Sequence, residues 1–98
     1  MSPTFEEFPK FNKDYGKLDA GQRARFQRAV AQFVEDLKAN RPLRAGLRVK
    51  KMQGCDGVYE LTWDSDGRAT WQYGEEQIEG EPHVMWRRIG THDIFKNP

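Results

Sequence analysis

The amino-acid sequence predicts an α+β domain, in which helices near the N-terminus precede a series of short strands. Hydrophobic residues recur with the helical period of about 3.6 before Pro42 and alternate, as in strands, after it. Turn-forming residues separate the short runs that follow. A chain of 98 residues rarely divides into two hydrophobic cores. We therefore expect one domain over residues 1–98.

Composition excludes several classes of protein. The sequence is 37% hydrophobic and 32% charged, and it contains no apolar stretch of the length of a membrane span or a signal peptide. We expect a cytoplasmic protein with no membrane partner. The chain has a single cysteine, Cys55, so it cannot form an internal disulfide. Its two histidines lie far from Cys55 in the sequence, so the three residues do not have the spacing of zinc ligands. Neither a metal nor another cofactor is expected.

The first predicted helix lies close to the N-terminus. Thr4–Phe8 forms a possible short strand, and a helix is predicted from Pro9 to Gly16, since proline favours the first turn of a helix and glycine its end. Four large side chains recur three or four residues apart, so we expect them to share one buried face: Phe8, Phe11, Tyr15 and Leu18.

The second predicted helix carries the stronger signal. Asp19 and Gln22 have the spacing of a capping box, in which each side chain bonds to the backbone of the other residue. The helix should end near Asn40, because Pro42 cannot continue the hydrogen-bond ladder. Six apolar positions form its buried face: Phe26, Ala29, Val30, Phe33, Val34 and Leu37. The opposite face carries three arginines that we expect to lie in solvent: Arg23, Arg25 and Arg28.

Four strands are predicted after Pro42, from runs rich in aromatic and branched residues. They are Leu47–Lys50, Val58–Trp63, Arg68–Tyr73 and His83–Ile89. The segments between them contain glycine, aspartate, serine or proline, as turns and loops do. The last of these segments, residues 74–82, is long and acidic.

The hairpin between the second and third strands has one register that keeps apolar residues together. A three-residue loop, Ser65–Gly67, pairs Asp64 with Arg68 and Trp63 with Ala69, and its glycine suits a left-handed position. One face then carries Tyr59, Leu61, Trp63, Ala69, Trp71 and Tyr73, which we expect to cover the helices. The other face carries Glu60, Thr62, Asp64, Arg68, Thr70 and Gln72.

The polar face of an antiparallel sheet is usually only its solvent-exposed side. Here, however, it combines the carboxylates of Glu60 and Asp64 with Arg68. Arg48 and Lys50 join them if the first strand turns its apolar residues inward. A basic sheet surface with an embedded carboxylate is a candidate site for a phosphodiester.

Positive charge is clustered, although the formal net charge is only +1. Five basic residues lie within eleven positions that contain no acid: Arg41, Arg44, Arg48, Lys50 and Lys51. Arg87 and Arg88 form another basic pair, and four glutamates gather in the loop at residues 74–82. Segregated positive charge favours binding to phosphates, whereas the alternative is an ordinary solvated surface.

Four segments, in this order, resemble the RelE/ParE toxin superfamily of bacterial type II toxin-antitoxin systems, and its RelE-like branch most. The segments are the helix with Phe26–Leu37, the basic run Leu47–Gly54, the hairpin Val58–Tyr73, and the ending Arg88–Phe95. The resemblance implies two N-terminal helices packed on one face of a mostly antiparallel sheet of four or five strands. It also implies a toxin that cleaves messenger RNA on the ribosome without a metal ion and is silenced by a cognate antitoxin.

The resemblance also assigns roles to single residues. Arg68 would hold the scissile phosphate, His92 would donate or accept a proton, and Phe95 would stack on a base. Metal-free RNA cleavage needs a base, a cation for the charged phosphorane and an acid, so Glu60 is the third candidate catalytic residue. Five residues are candidates for binding RNA: Arg48, Lys50, Lys51, Arg87 and Phe95.

A second hypothesis is a non-catalytic binding protein with the same fold. It would be a ParE-like inhibitor of DNA gyrase or a relative that has lost nuclease activity. Arg68 and His92 favour the nuclease. Glu60 and Thr62, which stand where several RelE-like toxins have lysines, favour the binding protein.

Overall fold

The computed structural model describes residues 2–98, so Met1, the first residue of the predicted domain, lies outside the description. The described chain forms two helices, α1 (Pro9–Gly16) and α2 (Ala20–Lys38), and five strands. The strands are β1 (Thr4–Glu7), β2 (Lys50–Lys51), β3 (Val58–Thr62), β4 (Gly67–Gly74) and β5 (His83–Thr91). Two short 3-10 segments cover Ala45–Leu47 and His92–Lys96. Neither helix within residues 2–98 has the length and apolarity to cross a membrane.

All five strands form one sheet in the order β1-β5-β4-β3-β2. β1 runs parallel to β5, and every other neighbouring pair is antiparallel. The two helices pack on one face of this sheet. The predicted α+β class, with two N-terminal helices and a mostly antiparallel sheet, is therefore confirmed.

The core lies between the helices and the aromatic face of the sheet. Phe33 of α2 packs edge-on against Trp71 with ring centroids 5.0 Å apart, and Phe26 packs against Trp86 at 5.5 Å. Such tilted contacts suit the charge distribution of aromatic rings. The core residues are Phe11, Phe26, Ala29, Phe33, Leu47, Leu61, Trp63, Ala69, Trp71, Val84, Trp86 and Ile89.

Both helices form as their local sequence predicts. α1 spans the predicted residues, and Phe11 lies on its buried face. The capping box of α2 is present, with Asp19 Oδ1 accepting from Gln22 N at 2.8 Å and Gln22 Oε1 accepting from Asp19 N at 2.9 Å. These two bonds satisfy backbone groups that a helix start otherwise leaves without partners.

The β3–β4 hairpin has the predicted loop length but a different register. Its loop is Asp64–Asp66, and Trp63 N donates to Gly67 O at 3.1 Å. Arg68 therefore pairs with Thr62, two residues away from the predicted partner. A shift of two residues keeps the side chains within β3 and β4 on their predicted faces, so the separation of aromatic and polar faces is confirmed for the strands. Asp64, which was predicted on the polar face, lies instead in the loop, and its carboxylate pairs with Arg25 of α2.

The reason for glycine at position 67 also differs from the prediction. Gly67 is not among the residues with positive φ, so the predicted left-handed backbone conformation was wrong. Instead the indole ring of Trp63 packs against its backbone, and an added Cβ would lie only 2.5 Å from the ring. Glycine is required by close approach rather than by backbone conformation.

The predicted strand Leu47–Lys50 is wrong at its start. Leu47 ends a 3-10 turn, and Arg48 adopts a left-handed conformation with φ of 48°. Regular pairing begins only at Lys50. Leu47 is buried as predicted, but a turn rather than a strand inserts its side chain into the core.

A bulge in β5 explains how this strand buries residues at uneven spacing. Thr70 pairs with Arg88 and Trp71 with Trp86, so Arg87 is an extra residue. Without this extra residue, strict alternation would turn Ile89 away from the core side that Trp86 occupies. With it, both side chains are buried.

The C-terminal segment covers part of the polar face of the sheet. Ile94 packs over Gly90, where an added Cβ would lie 2.9 Å from Ile94 Cγ2. Thr70 is buried, and its hydroxyl donates to Pro98 O at 3.3 Å. The polar face is therefore not simply a solvated surface, and its uncovered part lies towards β2 and β3.

Candidate functional site

The uncovered part of the polar face forms a cavity of about 300 Å³, which we call the sheet hollow. Cross-strand pairing builds it, because Lys50 faces Glu60 and Thr62 faces Arg68 in neighbouring strands. Its lining residues are Arg48, Val49, Lys50, Glu60, Thr62 and Arg68. Four of the predicted site residues, Arg48, Lys50, Glu60 and Arg68, thus come together at one place.

Arg68 is oriented by the backbone of the hairpin loop. Its Nη1 donates to three carbonyl oxygens, those of Asp64 at 3.3 Å, Ser65 at 3.4 Å and Gly67 at 3.0 Å. Within residues 2–98, no carboxylate lies within ion-pair distance of its guanidinium. The side chain is held in place while its positive charge stays unneutralised, which suits an anionic ligand.

Glu60 supplies the carboxylate of the sheet hollow. The residue is only 9% exposed, and Lys50 Nζ lies 3.6 Å from its Oε1. On β3 it stands opposite Thr70, so Arg68 is its diagonal neighbour on the same face. A buried carboxylate beside two cations can accept a proton or a hydrogen bond from a bound hydroxyl group.

His92 and Phe95 lie at the same end of the sheet as Arg68 but outside the sheet hollow. The pair Gly67–Thr91 joins the ends of β4 and β5, and His92 follows directly in a 3-10 turn. His92 is exposed, and its ring packs edge-on against Phe95 with centroids 4.8 Å apart.

Two predicted RNA-binding residues lie elsewhere. Lys51 pairs with Tyr59, so it points to the side of the edge strand opposite to Lys50. The Arg87 guanidinium lies 5.2 Å from the ring centroid of Phe8, and it donates to Gln72 Oε1 and to the carbonyl of Pro98. Through these internal contacts Arg87 holds the C-terminal segment against the sheet.

A second basic cavity adjoins the sheet hollow, and sequence reasoning did not foresee it. This helix hollow of about 500 Å³ lies between α2, the turn before β2 and the hairpin loop. Arg25 and Arg28 are exposed, as predicted, and both line it; their spacing of three residues places them on one face of the helix. Arg25 Nε lies 2.9 Å from Asp64 Oδ2 in the hairpin loop. Arg48, Thr62 and Arg68 line both hollows.

The basic run at residues 41–51 divides into two parts. Asp36, 1% exposed, accepts from Arg41 Nε at 2.7 Å and from Arg44 N, Nε and Nη2 at 2.9 Å each. The side-chain hydrogen bonds of Arg44 are the main reason that the pKa of Asp36 lies well below its ordinary value of 3.8. We call these three residues the Asp36 clamp. It closes the end of α2 onto the following loop and lines neither hollow.

The architecture is similar to that of known toxin structures. A chain of the E. coli DinJ-YafQ toxin-antitoxin complex aligns with a TM-score of 0.67 and 16% identity, covering 95% of this chain and 96% of that one. A chain of the RelB-RelE antitoxin-toxin complex from Methanococcus jannaschii aligns with a TM-score of 0.63 and 17% identity over 94% and 95%. A chain of the YoeB dimer from Staphylococcus aureus aligns with a TM-score of 0.64 and 12% identity, covering 94% of this chain and 99% of that one.

No family model and no curated protein sequence matches the chain. The structural matches share less than a fifth of their residues with it but extend over nearly the whole length of both chains. They therefore show that the chain has the fold of these toxins.

Proposed function

We propose that the protein is the toxin of a bacterial toxin-antitoxin module and that it cleaves messenger RNA on the ribosome. The observation that carries this proposal is Arg68, whose guanidinium is oriented by loop carbonyls beside the buried carboxylate of Glu60. The toxin fold supports the same conclusion. A cytoplasmic location and a cognate antitoxin are part of the proposal.

The proposed reaction is attack of a ribose 2′-hydroxyl on the adjacent phosphorus, which releases the 5′-oxygen of the next nucleotide. Glu60 takes the proton of the 2′-hydroxyl as general base, and Arg68 stabilises the charge on the phosphorane. His92, at the end of β5, protonates the leaving oxygen. The histidine is exposed, so the bound RNA and the ribosome would complete the site around it.

Binding of the RNA strand would come mainly from charge. Arg48 and Lys50 stand beside Arg68 and would contact neighbouring phosphates. Phe95, partly exposed beside His92, would stack on a base. Lys51 and Arg87 remain predicted contacts outside the sheet hollow. The same basic surface would attract an acidic segment of the antitoxin, with association slowed by salt.

The test is inducible expression with and without the adjacent small gene, followed by mapping of RNA ends. We expect growth arrest with new RNA ends on ribosome-bound messages, and relief by the neighbouring gene product. Arg68→Ala should abolish arrest without unfolding the protein, and Arg68→Lys should rescue it poorly, because lysine lacks the planar fork of arginine. Lys38→Ala is the matched control, since it removes one exposed positive charge from a residue that lines neither hollow. Full toxicity of Arg68→Ala would contradict the proposal.

Two further variants test the acid-base assignment. His92→Gln and Glu60→Gln should each lower cleavage by a factor of about 10² to 10⁴ while RNA binding is retained. Single-turnover cleavage and filter binding measure the two effects separately. Normal cleavage by His92→Gln together with loss in Glu60→Gln would place the essential proton transfer on Glu60 alone.

The position of His92 outside the sheet hollow favours a second candidate, a non-catalytic binder such as a gyrase inhibitor. In that case both variants would arrest growth as well as the wild type does, and no new RNA ends would appear. Supercoiling by purified gyrase in the presence of the protein would then distinguish a gyrase inhibitor from an inactive relative.

A further inference from the structure

The helix hollow carries more positive charge than the proposed reaction uses, because Arg28 takes no part in that reaction. Arg28, Arg48 and Arg68 line it, and none of the three has an ion-pair partner in the part of the chain that the structure describes. The carboxylate of Asp64 is the exception among its lining groups, and Arg25 already neutralises it at 2.9 Å. A cavity of about 500 Å³ with three unneutralised guanidinium groups is suited to an anion.

The two hollows adjoin each other and share three lining residues. Arg48, Thr62 and Arg68 line both, so a strand whose phosphate lies on Arg68 in the sheet hollow reaches the helix hollow by crossing that residue. Arg28 of α2 lines the helix hollow but not the sheet hollow. The next phosphate along such a strand would therefore meet the guanidinium group of Arg28.

The backbone of Arg48 is a second, independent observation at the same place. Its φ of 48° lies in the left-handed region, which costs a residue with a side chain free energy and which glycine adopts readily. The side chain of Arg48 is exposed, so no packing of this side chain into the core explains the choice of residue. Backbone strain of this kind often occurs at functional sites, and the exposed side chain of Arg48 lines both hollows.

We propose that the helix hollow binds a second phosphate of the RNA, adjacent to the scissile one, with Arg28 as its principal contact. This inference rests on the proposed function and names a substrate contact that lies outside the sheet hollow. An acidic protein segment fits less well, because the apolar residues that line the helix hollow, Ala29, Leu47 and Trp63, are buried. Four of the residues that line the hollow are arginines: Arg25, Arg28, Arg48 and Arg68.

The test is the salt dependence of RNA binding. The probe is a short 2′-O-methyl RNA oligonucleotide, which lacks the attacking hydroxyl and cannot be cleaved, titrated at several salt concentrations. Each phosphate contact contributes about 0.7 to the slope of log affinity against log salt for a single strand. Arg28→Ala should therefore reduce the slope by about 0.7 and weaken binding at low salt by about three- to tenfold. Arg28→Lys should keep the slope, and Lys38→Ala should change neither quantity.

A chemical variant of the probe identifies the phosphate. Single phosphates of the probe are replaced by uncharged methylphosphonates. At one position this replacement should weaken binding by the wild type, whereas Arg28→Ala should bind the modified and the unmodified probe equally, because its contact with that phosphate is already lost. An unchanged slope in Arg28→Ala, or the absence of measurable binding by the wild type, would overturn the second site. If Arg68→Ala loses binding while Arg28→Ala does not, only the helix hollow is refuted. If neither variant changes RNA binding, the proposed function fails as well. If Arg28→Ala weakens binding of the antitoxin but not of RNA, the helix hollow belongs to the protein partner instead.

Discussion

The two ends of the basic run at residues 41–51 differ in their contacts with carboxylates. Arg41 and Arg44 lie at its start, and Arg48 and Lys50 lie towards its end. The first two hold the buried carboxylate of Asp36 at hydrogen-bond distances of 2.7 to 2.9 Å. Arg48 has no acidic partner within the described chain, and Lys50 stands 3.6 Å from a carboxylate at the edge of an open hollow. The first part of this basic run therefore stabilises the fold, whereas the second part lies at an open hollow where it can contact a ligand.

The difference shows that positive charge in a sequence is not the same as positive charge offered to a ligand. An arginine that satisfies a buried carboxylate contributes to folding, because that carboxylate would otherwise be desolvated without compensation. An exposed arginine without an acidic neighbour contributes little to folding but adds to the surface potential. Substitutions in the two halves should therefore separate stability from RNA binding.

The largest effect on stability is expected from Arg44→Ala. This change leaves Asp36 buried with only Arg41 as its charged partner, so the midpoint of thermal unfolding should fall by more than about 10 °C. RNA binding measured well below the transition should change little, since Arg44 lines neither hollow. Arg48→Ala is the control, with the opposite pattern expected. A fully stable Arg44→Ala variant would contradict a structural role for the clamp.

The pH dependence of stability sharpens the same comparison. Folding lowers the pKa of Asp36 below 3.8, so its ionised form is preferred in the folded state. The stabilisation is complete above the unfolded pKa and declines as pH falls below it towards the folded value. Chemical denaturation of the wild type and Asp36→Asn should show a constant difference at neutral pH that shrinks below about pH 4. A difference that grows with acidification would reverse the assigned direction.

The smallest effect on stability is expected from Arg48→Gly. Glycine removes the cost of the left-handed backbone but makes the unfolded chain more flexible, so the unfolding midpoint should stay unchanged or rise by up to about 5 °C. RNA affinity should fall about tenfold, because a cation between the hollows is lost. Calorimetry and the RNA titration measure the two quantities. Unchanged affinity would place Arg48 outside the binding surface.

The sequence by itself determined the features that depend on near neighbours. Asp19 and Gln22 cap α2 because both partners lie within one turn of the chain. Alternation along β3 and β4 assigned Glu60 and Arg68 to one face, and even a register shift of two residues left that assignment intact, since side chains alternate with a period of two residues. Half of the predicted site residues lie in the sheet hollow, although Arg48 reaches it from a turn rather than from the predicted strand.

Only the tertiary structure decided which charges remain available. Arg44 is neutralised because a loop returns it to Asp36, and Arg87 is drawn into internal contacts because a bulge makes it the extra residue of β5. Arg25 and Arg28 line a cavity only because the hairpin loop faces α2, some forty residues away in the sequence. Ion pairs and cavities depend on groups that approach in space from distant parts of the chain, and local periodicity carries no information about those approaches.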